Sequence, residues 1–246
     1  ASCLVGSEMC IRDRPMKYKS IFIDLDDTLW AFTENARDTF EDMYHQYRFE
    51  RYFQSFNHFM KLYTPKNLEL WELYGRHEIS KDELNAHRFA YPLLQVGVDD
   101  PLLVKTYSDN FFAEIPYKQK LMPHAMEALE YLSGKYRLYI LSNGFRELQE
   151  QKMRSAGILR YFRKIVLSED IGVHKPFSAI FNFAMSATQS EFRTSLMIGD
   201  NWKNDIVGAR EVGMGQGYYC PDAEPSVLEF QPTFLLRDWE EIEKVL

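Results

Sequence analysis

Ile21-Phe22-Ile23-Asp24-Leu25-Asp26-Asp27-Thr28-Leu29 passes from wholly apolar to acidic within one peptide bond. The apolar run shows no polar alternation, which is what a parallel strand covered on both faces requires. Asp24 and Asp26 are two residues apart, so in extended geometry their carboxylates project the same way. Two unit charges about 4 Å apart repel by roughly 4 kcal/mol at an effective dielectric of 20. Such crowding persists only where a cation or a shared proton relieves it. The bland alternative is an acidic turn after an edge strand, and the continuous apolar run argues instead for a central strand.

Three further runs have the same character: Leu138-Tyr139-Ile140-Leu141, Ile165-Val166-Leu167 and Leu196-Met197-Ile198. They end in Ser142-Asn143-Gly144, Ser168-Glu169-Asp170 and Gly199-Asp200. Helical periodicity over residues 147–157, 178–187 and 205–212 separates or follows them, with Gly213 at a helix end that tolerates left-handed backbone. Residues 217–220 and 233–236 extend the strand set, and Asp238 is a good N-cap for a short closing helix. Strand–helix alternation predicts an α/β fold: a doubly wound, Rossmann-like parallel sheet. Ligands in such sheets bind beyond the carboxyl ends of the strands, so the polar strand ends converge on one site.

The first crossover is too long for one helix. Residues 33–116 read as an inserted helical domain, with caps at Thr33 and Ser80 and breakers at Pro65 and Pro116. Aromatic residues crowd it, and helix core is the better reading of that stripe than a platform for stacking a base. The expected layout is a non-native or disordered leader over 1–15, a core of 16–32 and 117–246, and the helical insertion at 33–116. The leader is expected to carry no function, with Met16 as a plausible start.

The 246 residues carry 29 Lys and Arg against 36 Asp and Glu, a net charge of −7. That sign disfavours nucleic-acid polymers and anionic membranes as partners, and no apolar run approaches the roughly 20 residues of a membrane span. Cys3, Cys10 and Cys220 form neither a disulfide framework nor a zinc site, so a reducing, cytoplasmic setting is the expectation.

Four strand-end stretches carry candidate chemistry. Asp24 and Asp26 form the acidic pair. Ser142, Asn143 and Gly144 offer a hydroxyl, an amide and a permissive backbone to phosphate oxygens. Lys175, in His174-Lys175-Pro176, can neutralise phosphate and carboxylates together. Asp200 and Asp205, in Gly199-Asp200-Asn201-Trp202-Lys203-Asn204-Asp205, suit a hard cation with oxygen ligands. Each of the last three is weak alone, since turns, surface lysines and N-caps look alike. Their joint order and spacing are specific.

That set resembles the DxDxT, Ser/Thr, Lys and GDxxxxD motifs of haloacid dehalogenase-like phosphatases, over essentially the whole chain from Met16. The resemblance implies a helical cap at 33–116, Asp24 as nucleophile and Asp26 as general acid and base. It implies phosphate binding by Thr28, Ser142, Asn143, Gly144 and Lys175, with Lys175 also orienting the nucleophile. It implies Mg²⁺ held by Asp24, the Asp26 backbone carbonyl, Asp200 and Asp205. Asp27 is read as a turn residue. Trp30, Phe32 and Arg88 are candidates for substrate contact.

A finer resemblance, to the pyrimidine-type 5′-nucleotidase branch, rests on residues 70–74, 79–80, 88–89, 140–145 and 168–176. Phe177-Ser178 after Pro176 and His124 after Pro123 depart from that pattern. The implied reaction is hydrolysis of a small phosphomonoester, a nucleoside 5′-monophosphate, through an aspartyl-phosphate; monomer and homodimer both stay open. The rivals are a phosphatase of small sugar or organic-acid phosphates such as phosphoglycolate and a haloacid dehalogenase, which has no use for Asp26. From a different class comes a phospho-Asp receiver or binding protein, which keeps its acidic pair and its phosphorylated Asp on different strands.

Overall fold

The computed structural model describes residues 17–221 and 228–246. The leader over 1–15 and the start at Met16 lie outside the described residues. Six parallel strands run β1 (Ser20–Ile23), β2 (Arg137–Ser142), β3 (Lys164–Leu167), β4 (Ser195–Gly199), β5 (Gly215–Tyr219) and β6 (Phe234–Leu236), in spatial order β3-β2-β1-β4-β5-β6. The helices are α1 (Phe32–Gln46), α2 (Phe56–Gly75), α3 (Lys81–Gln95), α4 (Pro101–Glu114), α5 (Ala125–Ser133), α6 (Arg146–Ser155), α7 (Ser178–Thr188), α8 (Gly208–Glu211) and α9 (Ile242–Val245). This is the α/β doubly wound architecture that the strand pattern implies.

The apolar strands do not alternate because both faces are covered. Ile21 and Ile23 join Leu138, Ile140, Leu196 and Ile198 in one buried cluster with α5. Phe22 joins Tyr139, Leu141 and Met197 in another with α7 and α8. The four β1 residues are paired on both sides, Ile23 standing beside Ile140 and Ile198. β1 is therefore central, and the edge-strand alternative falls.

Helices α1 to α4 fill the long first crossover. The aromatic stripe of this segment is core: Phe40, Phe49, Phe59, Phe89, Tyr107 and Phe111 are all buried. Phe40 lies 4.4 Å from both Tyr63 and Phe111 between ring centroids. Ser80 caps α3 through a capping box with Glu83.

Two expectations fail here. Thr33 is not a cap, since α1 begins at Phe32. Asp27, with φ of 55°, instead accepts from the Thr33 amide at 2.8 Å and hydroxyl at 2.7 Å. Pro65 breaks nothing and sits inside α2. The roughly 3 kcal/mol cost of an interior proline is offset by burial of Phe59, Tyr63 and Leu70 on the same helix. No helix among the described residues is long and apolar enough to cross a membrane.

Candidate active site

β1 ends where its neighbours diverge, β2 on one side and β4 on the other, which is the switch point where open α/β sheets bind ligands. Asp24 is the first residue past that strand, and its amide still donates to Ile198 at 2.9 Å. Its carboxylate is buried against Lys175, 2.8 Å from Nζ. The same ammonium reaches Asp205 Oδ1 at 2.6 Å and the Leu141 carbonyl at 2.7 Å. Three acceptors use its three protons, so the buried charge is satisfied. Asn143 fixes the lysine: its side chain accepts from the Lys175 amide at 2.9 Å and donates to the Lys175 carbonyl at 3.1 Å. The Asn143 side chain thus holds the Lys175 backbone at both its amide and its carbonyl.

Asp205 is fully buried. It sits on a wide π-turn, Trp202–Val207, that precedes α8, so winding starts earlier than the expected 205–212 helix. Its second oxygen accepts from the Asn201 amide at 3.1 Å. A Cβ at Gly199 would strike this carboxylate, which explains the glycine. Thr28 and Asp200 bind reciprocally: the hydroxyl donates to Asp200 Oδ1 at 2.9 Å and accepts from the Asp200 amide at 3.0 Å. Thr28 is fully buried. The hydroxyl, expected at phosphate, here pairs with Asp200.

Asp24, Asp200 and Asp205 each offer one oxygen within 4.8 Å of the others. The crowding shows in their acidity. Burial, with Asp205 and Asp26 nearby, pushes Asp24 up to about 7 against the pull of Lys175. Burial, then Asp24 and Asp205, pushes Asp200 up to about 8. Burial alone would lower Lys175, but Asp205 and Asp24 outweigh it and hold it above its ordinary value. Four carboxylates (24, 26, 200, 205) face two ammonium groups (152, 175). The remaining negative charge and the all-oxygen donor set fit a hard divalent cation.

Asp26 is set apart. Its side chain is 26% exposed against 12% for Asp24. Lys152 Nζ lies 2.8 Å from Asp26 Oδ1, and Gln149 Nε2 lies 2.9 Å from Oδ2. Gln149 also donates to Ser142 Oγ at 2.8 Å, beside the Gly144 amide at 3.1 Å. A Cβ at Gly144 would fall on the Gln149 amide, so this glycine makes room for that side chain. Sequence reasoning missed Gln149 and Lys152. The available signal was their i, i+3 spacing on α6, which puts two polar residues on the face that carries buried Met153.

The three candidate substrate contacts are packed to different degrees. Trp30 is fully buried and donates through its indole to the Lys118 carbonyl at 3.2 Å. Phe32 is half-buried, and Lys152 Nζ stands 4.7 Å and 5.1 Å from the Trp30 and Phe32 ring centroids. Arg88 is buried, donates to Asn67 at 3.3 Å, and its guanidinium lies 5.9 Å from the Phe145 ring just beyond Gly144.

The model of the haloacid dehalogenase-like hydrolases matches residues 18–213. The HAD-hydrolase YfnB of Bacillus subtilis is 29% identical over 237 residues, covering 94% of this chain and 96% of that one. Pyrimidine 5′-nucleotidase YjjG of Escherichia coli is 29% identical over 233 residues, covering 94% and 99%. The crystal structure of YfnB bound to magnesium superposes with a TM-score of 0.80 at 26% identity, over 94% of this chain and 99% of that one. With the six-stranded sheet and a family match over most of its length, the chain belongs to the haloacid dehalogenase-like hydrolases.

Proposed function

We propose that this protein is a Mg²⁺-dependent phosphomonoester hydrolase that works through an aspartyl-phosphate on Asp24. The observation that carries the reading is the different treatment of two carboxylates two residues apart. Asp24 is buried against Lys175, while Asp26 lies further out on its own donors. Such a split suits a nucleophile beside an acid and base. Asp24 attacks phosphorus, the bond to the leaving oxygen breaks, and Asp26 gives that oxygen its proton. Asp26 then takes a proton from the water that attacks the phospho-enzyme, releasing phosphate and restoring Asp24. The Ser142 hydroxyl holds a phosphoryl oxygen, while the Lys175 charge beside Asp24 offsets the negative charge that shifts among those oxygens.

Asp24, the Asp26 carbonyl, Asp200 and Asp205 would hold Mg²⁺, which when bound supplies neutralisation of phosphoryl charge. Helices α1 to α4 act as a cap that excludes water. The reducing, cytoplasmic setting belongs to the same reading.

The substrate class follows from likeness rather than from the catalytic residues, which treat any phosphomonoester alike. Two relatives carry the name pyrimidine 5′-nucleotidase, YjjG and PynA of Streptococcus pneumoniae. We therefore assign nucleoside 5′-monophosphates as preferred substrates. A second reading, small sugar or organic-acid phosphates, is favoured by likeness to a glyceraldehyde 3-phosphate phosphatase of Methanothermobacter thermautotrophicus, 29% identical over 206 residues. The test is kcat/KM for UMP and dTMP against phosphoglycolate, glucose 6-phosphate and glyceraldehyde 3-phosphate with saturating Mg²⁺. A tenfold advantage for any non-nucleotide would overturn the nucleotide assignment and leave the hydrolase standing.

A further inference from the structure

We infer that Gln149 and Lys152, both on α6, are positioning residues that lock Asp26 and Ser142 into one preassembled unit. The inference rests on the phosphohydrolase reading above and adds residues to it.

Lys152 has a side chain only 3% exposed, although lysine normally keeps its ammonium in water. Trp30 and Phe32 flank its charge and Asp26 receives it. A surface ion pair would leave the carboxylate free to swing among rotamers. A buried ammonium between two rings cannot follow it, so Asp26 Oδ1 is tethered to one place.

Gln149 is fully buried and bridges the other oxygen of Asp26 to Ser142. Its amide faces Asp26 through Nε2, 2.9 Å from Oδ2. Its own Oε1 has no partner among the described residues. Burying an unpaired acceptor costs free energy, and the return is the orientation of two neighbours. Ser142 Oγ already accepts from Gln149 and from the Gly144 amide. Both lone pairs are thereby used, so the hydroxyl proton can only point outward, as a donor to a phosphoryl oxygen. A single side chain thus sets the direction of the phosphate donor and the place of the acid. The helix that carries it follows directly on the Ser142 loop.

The test uses the full chain with saturating Mg²⁺ and two substrates, p-nitrophenyl phosphate and a simple alkyl phosphate. Departure of an alkoxide needs a proton from Asp26, and departure of p-nitrophenolate does not. Water attack on the phospho-enzyme needs Asp26 as base in both cases. Lys152→Met should lower kcat on the alkyl phosphate about 10- to 100-fold, part of the 10²–10⁴ that a positioned acid or base contributes, with KM little changed. On p-nitrophenyl phosphate the same variant should release a burst of about one p-nitrophenolate per enzyme before a slow steady state.

Lys152→Arg should recover most of the alkyl rate. Gln149→Leu should show the same leaving-group split and also raise KM several-fold, because Ser142 loses its orientation. Wild-type kcat in both Lys152→Met and Gln149→Leu, or equal losses on both substrates without a burst, would overturn the inference. If Lys152→Met does not fold, Gln149→Leu decides by the same criteria. If wild-type protein hydrolyses neither phosphate, or Asp24→Asn hydrolyses them normally, the phosphohydrolase reading itself falls.

Discussion

Lys175 Nζ and Asp205 Oδ1 meet at 2.6 Å with neither side chain more than 2% exposed. The contact is almost wholly buried, and it anchors the site electrostatically. Lys175→Met would leave Asp24 and Asp205 facing each other without their shared cation. Removing one partner of a buried pair costs about 3–5 kcal/mol, so a large drop in Tm is expected without metal, together with loss of turnover. Thermal melts with and without Mg²⁺ check this. A Tm within a degree or two of wild type in chelator would show that the lysine is not structural.

Asp24→Asn should abolish hydrolysis while the fold survives, because asparagine is nearly isosteric and not an anionic nucleophile. Burial holds the Asp24 carboxyl near 7, so its charge is unwelcome in the metal-free protein. The variant should therefore melt at or above the wild-type temperature in chelator. A near wild-type phosphatase rate would remove the covalent mechanism.

Mg²⁺ should raise the Tm of the wild-type protein and chelator should reverse the rise. A cation at 100 times its Kd stabilises by about 2.7 kcal/mol. Asp200→Ala should erase most of that gain, since it deletes one of three oxygens that lie within 4.8 Å of one another. An equal Tm shift in Asp200→Ala would place the cation elsewhere.

His174 gives a pH dependence of definite sign. Burial, then the neighbouring His77, lowers it to about 4 from an ordinary 6.5. Both ring nitrogens lack a hydrogen-bond partner among the described residues, and Tyr74 packs edge-on at 4.7 Å between ring centroids. A depressed histidine contributes stability that is present above the unfolded value and lost as pH falls from about 6.5 to 4. His77, Lys81 and Glu169 lie around this site. After allowance for solvent screening the loss is on the order of 2 kcal/mol. His174→Phe should flatten the stability profile over that range, measured by urea unfolding, and an unchanged profile would assign the dependence to other groups.

The strand ends were legible because a central parallel strand leaves a plain trace: unbroken apolar residues, then small or acidic ones. Asp24, Ser142 and Asp200 lie on that trace, and Lys175, eight residues beyond the end of β3, was legible only from the order of the motifs. Gln149 and Lys152 do not, because polar residues on a helix ordinarily read as its solvated face. Only the tertiary placement of α6 under Ser142 turns them inward. Thr28 was legible as a site residue but not as the partner of Asp200, since hydrogen bonds between residues 172 apart in sequence leave no local pattern. Thr33 was misread because it lies inside the first turn of α1, where its amide and hydroxyl both go to Asp27, six residues earlier and in left-handed backbone.

The central place of β1 bears on how the chain matures. Asp24 leaves the ribosome before its counter-charge Lys175, which follows 151 residues later. The partner of Thr28 follows 172 residues later. Until those segments are synthesised and β4 docks, sealing Asp24 into the sheet would strand an unpaired charge. Catalytic competence therefore waits for β4, and a truncated chain ending before it has no route to partial activity.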